Sequence, residues 1–113
     1  MNKWFSLFVI LPASVFAQEP KTIFPPDIRV VQGVAYLSPN RIEKAGLYFP
    51  RTMSGNQKLP AVLIVHGGGW TGGERDAARE INIGSTLARN GYVAMSIDYV
   101  LALRLQNGGA LAP

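Results

Sequence analysis

The sequence predicts an α/β fold in which two antiparallel edge strands lead into a βαβ unit of a mostly parallel sheet. Three observations carry this. Ala61-Val62-Leu63-Ile64-Val65 is an unbroken apolar run, and the glycine-rich stretch His66 to Gly73 follows it directly. Asp76 to Arg89 then sets Ala77, Ile81, Gly84 and Ala88 at three- and four-residue spacing, with Leu87 beside them. Tyr92 to Ile97 returns to continuous apolar character. A strand without alternation reads as buried on both faces, as in a parallel sheet covered by helices. Strand, loop, helix and strand in that order make a right-handed crossover.

The remaining elements follow from local signals. Ile28 to Leu37 is rich in β-branched and aromatic residues, with Gly33 as a break, and predicts a strand with a bulge. Ser38-Pro39-Asn40 predicts a turn, and Lys44 to Phe49 a second strand closed by Pro50. Ser54 to Lys58 is a polar loop of hairpin type. Glu74 and Asp76 stand where a helix N-terminus favours negative charge, and Arg89 where the C-terminus favours positive. Asn90-Gly91 stops the helix.

The start of the chain speaks to compartment. Lys3 precedes an apolar stretch from Trp4 to Val15, and Val15-Phe16-Ala17 offers small residues where a signal peptidase reads. Residues 1–17 are therefore expected to be a signal peptide cleaved after Ala17, giving a secreted or periplasmic protein. The stretch is too short for a stable membrane anchor, which needs about 20 apolar residues. Residues 18–27, with Pro20, Pro25 and Pro26, form an extended lead-in. The domain then runs over 28–102, and 103–113 is an atypical tail without clear period.

Composition narrows the function. The chain has 113 residues, 48% hydrophobic and 16% charged, which is a globular balance. Its net charge of +4 is spread over single Lys and Arg residues, so no nucleic-acid face is indicated. There is no cysteine. One histidine and scattered carboxylates make no metal-ligand set.

Chemistry concentrates in the glycine loop. At the C-terminal end of a parallel strand, open α/β sheets place their ligands. A phosphate loop would need Lys and Ser or Thr after Gly72, and Gly73-Glu74 stands there instead. A dinucleotide fingerprint is met by Gly67-x-Gly69-x-x-Gly72, with Asp98 where a ribose-binding acid would sit. Trp70 and the delay introduced by Gly73 and Glu74 count against it. An oxyanion hole is the third reading. There, backbone N–H groups stabilise the charge that develops on a carbonyl oxygen during acyl transfer.

His66-Gly67-Gly68-Gly69-Trp70 has the form of the HGGG-type loop of lipases and esterases. Its flanks strengthen the likeness: Pro60 to Val65 before it, Leu87-Ala88-Arg89-Asn90-Gly91-Tyr92 after it, and Ser96-Ile97-Asp98-Tyr99-Val100-Leu101-Ala102 beyond. Arg41 to Pro50 (RIEKAGLYFP) resembles an early strand of the same group. Over residues 28–102 the chain thus resembles the N-terminal part of an α/β-hydrolase of the esterase/lipase type. The resemblance implies that Gly68 and Gly69 are oxyanion donors, with Gly67 shaping the turn. It implies that His66 orients the loop and is not the catalytic base. Trp70 either packs under the loop, walls the acyl pocket or fills the core. Asp98 and Tyr99 are expected to fix the strand end.

The rest of the machinery is not found. In this fold the nucleophile lies in G-x-S-x-G. Ser38, Ser54, Ser85 and Ser96 all lack that setting, and His66 is the only histidine. The expectation is an N-terminal fragment of a secreted carboxylic-ester hydrolase. It would be a truncated or frame-shifted product, or a piece of a longer sequence, inactive by itself and without a cofactor. The complete enzyme would act on a small-molecule or carbohydrate-linked ester. A dinucleotide-binding oxidoreductase fragment and a secreted, non-enzymatic α/β binding module are the other readings.

Overall fold

A computed structural model describes residues 22–102. The expected signal peptide (1–17), the first part of the lead-in and the tail (103–113) lie outside the described residues. The elements are β1 (Ile28–Val34), β2 (Ala45–Pro50), β3 (Ala61–Val65), α1 (Ala78–Arg89) and β4 (Val93–Ile97). They form one four-stranded sheet in the order β1-β2-β4-β3. β1 and β2 are antiparallel, β2 and β4 are antiparallel, and β3 and β4 are parallel. The expected antiparallel edge and parallel crossover are both present. The register of β1 shifts between Val31 and Val34, the bulge that Gly33 foretold. No helix among the described residues is long and apolar enough to cross a membrane.

Three local expectations differ from the structure. The polar stretch Ser54 to Lys58 does turn, with Gln57 N–H donating to Ser54 O at 2.9 Å. It is not a hairpin, because β4 lies between the strands it joins.

The second difference is β3, which is not buried on both faces. Ile64 is 7% exposed, while its neighbours Leu63 and Val65 are 58% and 53% exposed. β3 is an edge strand, and α1 covers only the face that Ile64 shares with Ser96, Ala94 and Tyr48. On the opposite face Leu63 and Val65 have no covering layer among the described residues. An apolar run reports that a strand belongs in an interior; it does not report how many layers surround it here.

The third is the helix, which begins at Ala78 rather than at Asp76. Arg75 is held in the loop by its neighbours: its N–H donates to Asp98 Oδ1 at 3.1 Å, and its carbonyl accepts from Ser96 Oγ at 2.8 Å. The buried stripe of α1 is Glu80, Gly84, Ser85 and Ala88, so Ile81 stands beside the stripe rather than in it. Gly84 decides the rotation. A Cβ there would stand 2.7 Å from Cδ2 of Tyr48, so the helix backbone rests directly on that ring.

Tyr48 is the centre of the core. It is fully buried and clusters with Ile28, Ile64, Ala88 and Ala94. Phe24 packs edge-on against it, with ring centroids 6.4 Å apart, so the lead-in contributes to the core. Asp27 ties the same segment to the last turn of α1 through Arg89, Nε to Oδ2 at 2.6 Å. The helix closes with Gly91 N–H donating to Ala88 O and Tyr92 N–H to Leu87 O, the paired pattern of a Schellman stop. That stop turns the chain into β4 alongside β3. The C-terminal ends of β3 and β4 then lie together, and both open onto the glycine loop.

Candidate active site

The loop leaves β3 at Val65 and reaches α1 at Ala78. Its first residue, His66, is 4% exposed. Tyr99 stacks on the imidazole, with centroids 4.2 Å apart and planes 17° from parallel. The Tyr99 hydroxyl donates to His66 O at 2.9 Å. Nδ1 of His66 lies 2.9 Å from Gly67 O. A carbonyl only accepts, so this bond requires the tautomer protonated at Nδ1. His66 is thus buried, stacked and committed to its own loop.

The next two peptide planes are fixed by their carbonyls. Gly67 O is held by His66. Gly68 O accepts from Thr71 N at 3.1 Å, from Gly72 N at 3.2 Å and from Thr71 Oγ1 at 3.1 Å. In a trans peptide the C=O of one residue and the N–H of the next point in opposite directions, and no cis bond occurs here. Tying back the Gly67 and Gly68 carbonyls therefore turns the N–H groups of Gly68 and Gly69 away from the loop interior. Among the described residues neither N–H has an acceptor.

Glycine is required at two of these positions. Gly68 has φ 133°, and a Cβ there would overlap the Gly72 carbonyl. Gly73 has φ 95°, and a Cβ there would collide with Gly67 O and the His66 ring. Both are conformations and contacts that a side chain forbids. Trp70 is the one non-glycine residue with positive φ among those described, at 66°. It neither packs under the loop nor enters the core, being 69% exposed. Its indole meets Tyr99 edge-on at 5.5 Å, and its carbonyl accepts from Ala102 N at 2.7 Å. The loop backbone is anchored there, which leaves the indole projecting beside the glycines.

Behind the loop, Asp98 binds the Arg75 N–H and the Arg75 guanidinium, and Lys44 N–H reaches its Oδ2 at 3.4 Å. The Tyr36 hydroxyl donates to Asp98 O. Asp98 therefore fixes the strand end, as expected. That occupation also removes the acid a ribose would need. The delay that already counted against the dinucleotide reading is longer than Gly73 and Glu74 alone, because residues 73–77 separate Gly72 from the first turn of α1. A pyrophosphate on the loop would not reach that helix N-terminus.

The sequence marked His66, Asp98 and Tyr99 as structural residues but not the contacts they make around the glycines. The Arg75–Asp98 link, the Tyr99 stack on His66 and the Thr71 bonds to Gly68 all join residues without a periodic pattern. The available signal was the Ser96 to Ala102 segment, whose likeness to esterase sequences covers both Asp98 and Tyr99.

The mixed sheet with its βαβ crossover has the fold of an N-terminal fragment of an esterase-type α/β-hydrolase. The BD-FAE family model matches residues 46–108, and the chain belongs to that α/β-hydrolase-related family. The structure is similar to the crystal structure of esterase B from Lactobacillus rhamnosis with a C4-C4 SN3 tributyrin phosphonate. The TM-score is 0.55 at 28% identity, and the match covers 73% of this chain and 26% of the esterase chain. The chain thus spans about a quarter of that relative's length. No curated protein sequence matches it.

Proposed function

We propose that the chain carries the oxyanion hole of an exported carboxylic-ester hydrolase whose serine nucleophile, acid and catalytic histidine lie outside these 113 residues. One observation carries this reading. The N–H groups of Gly68 and Gly69 are turned outward by carbonyls that are tied back, at the C-terminal end of a parallel strand. They would receive the carbonyl oxygen of a bound ester and stabilise its charge as the tetrahedral intermediate forms. Gly67 shapes the turn, His66 holds it, and Trp70 walls the acyl side. The substrate is a small-molecule or carbohydrate-linked ester, and the hole needs no cofactor for this work.

By itself the chain supplies no nucleophile and no base, so it binds without turning over. The pattern of residues 1–17 supports export with cleavage after Ala17, which N-terminal sequencing of the mature protein would reveal as a start at Gln18. The experiment compares the chain alone with a polypeptide extended through a downstream G-x-S-x-G coding segment, using p-nitrophenyl butyrate. Turnover by the extended protein only is expected, lost about a hundredfold or more in Gly69→Pro, which removes the N–H donor and also forces the backbone away from its φ of 61°. Turnover by the isolated chain, or full turnover by the Gly69→Pro protein, would contradict the proposal.

A further inference from the structure

Arg79 lies in the first turn of α1, yet its guanidinium rests against the glycine loop. A Cβ on Gly67 would stand 3.0 Å from its Nη2 and 3.7 Å from its Nη1. The orientation is set from behind. Nε and Nη2 both donate to Oε1 of Glu80, at 2.9 and 2.6 Å. The Glu80 side chain is only 3% exposed, so the carboxylate is a buried anchor, while the Arg79 side chain is 66% exposed. The side-on grip on one carboxylate oxygen leaves Nη1 without a protein partner among the described residues. Arg75, behind the loop, is bound to Asp98 and lies 3.9 Å from Asp76.

We infer that Arg79 is a specificity-determining residue: it selects esters that carry an anionic group, a carboxylate or a phosphate, a few atoms from the scissile carbonyl. This rests on the oxyanion reading of Gly68 and Gly69. When the carbonyl oxygen sits on those two N–H groups, the guanidinium is a held positive charge beside Gly67, the residue before the first donor. Its free N–H groups match an oxyanion, and a charge-assisted bond of this kind is about twice as strong as a neutral one. A guanidinium held by a neighbour loses less freedom on binding than a mobile lysine would.

The test uses the chain itself, labelled with 15N, and two probes of one shape: monomethyl succinate, which keeps a carboxylate, and dimethyl succinate, which is neutral. Amide shifts of residues 67–70 report the affinity for each. The monoester is expected to bind about tenfold more tightly. In Arg79→Gln the ratio falls to about one, and Arg79→Lys, which keeps the charge without the planar fork, restores part of it. Equal affinities in the unmodified chain, or a ratio unchanged in Arg79→Gln, overturn the assignment and leave the oxyanion loop standing. If neither ester moves those amides, the loop reading fails and the role of Arg79 fails with it.

Discussion

Asp98 accepts the backbone N–H of Arg75 at 3.1 Å and also pairs with the guanidinium of the same residue. One carboxylate at the end of β4 therefore holds both the main chain and the side chain of the segment leading into α1. The side chains are 20% and 22% exposed, so water screens the pair only in part. Asp98→Asn keeps the shape and removes the charge. It is expected to cost about 2 kcal/mol, less than a fully buried pair would. Urea unfolding followed by circular dichroism measures this, and a loss below a few tenths of a kcal/mol would show that the link does not hold the loop.

Gly68→Ala tests the backbone of the loop. The new Cβ meets the Gly72 carbonyl at a φ that alanine avoids, so residues 66–73 must rearrange. The expected cost is about 1–3 kcal/mol, and the amide signals of Thr71 and Gly72 should shift as their bonds to Gly68 O break. An unchanged spectrum would mean that the loop does not hold this conformation in solution.

Gly84→Ala separates two opposing effects. Alanine favours a helix over glycine by about 1 kcal/mol. Here the added methyl would stand 2.7 Å from Cδ2 of the fully buried Tyr48 ring. Overpacking costs about 1–3 kcal/mol, so a net loss of stability is expected on thermal unfolding. A rise in melting temperature would show that α1 sits farther from the sheet.

Tyr48 also predicts an alkaline limit. Burial pushes its hydroxyl above the ordinary value of 10.0. The folded state then holds the proton more tightly than the unfolded chain. The stability this preserves is fully present below pH 10 and is lost as pH rises through the folded-state value. In Tyr48→Phe that part of the alkaline loss should disappear. Equal alkaline slopes of stability for the two proteins would contradict it.

How much of this was legible in the sequence depends on the kind of interaction. β3, α1 and β4 announced themselves because apolar period and glycine punctuation are local properties. The bulge at Gly33 and the helix stop at Asn90-Gly91 were equally local. The one-sided burial of β3 was not, because exposure of Leu63 and Val65 depends on what lies across the sheet. The helix start was misplaced by two residues because Asp98, 23 positions from Arg75, holds that segment out of the helix. At the site, Gly67, Gly68 and Gly69 lie in the loop after β3, where the motif put them, while the exposure of Trp70, whose carbonyl is bound by Ala102 N–H, depends on contacts that the motif does not encode. Arg79 carried no motif at all; only the fold brings the first turn of α1 against Gly67.

In the proposed function Gly68 and Gly69 present their N–H groups to an oxyanion. Titrating the 15N-labelled chain with butylphosphonate, a tetrahedral anion of the shape such a hole would bind, tests it most directly. Saturable downfield shifts at the Gly68 and Gly69 amides, absent in Gly68→Ala, are the predicted result. Amides that stay in place through the titration, or a loop that responds to NADH instead, would contradict it.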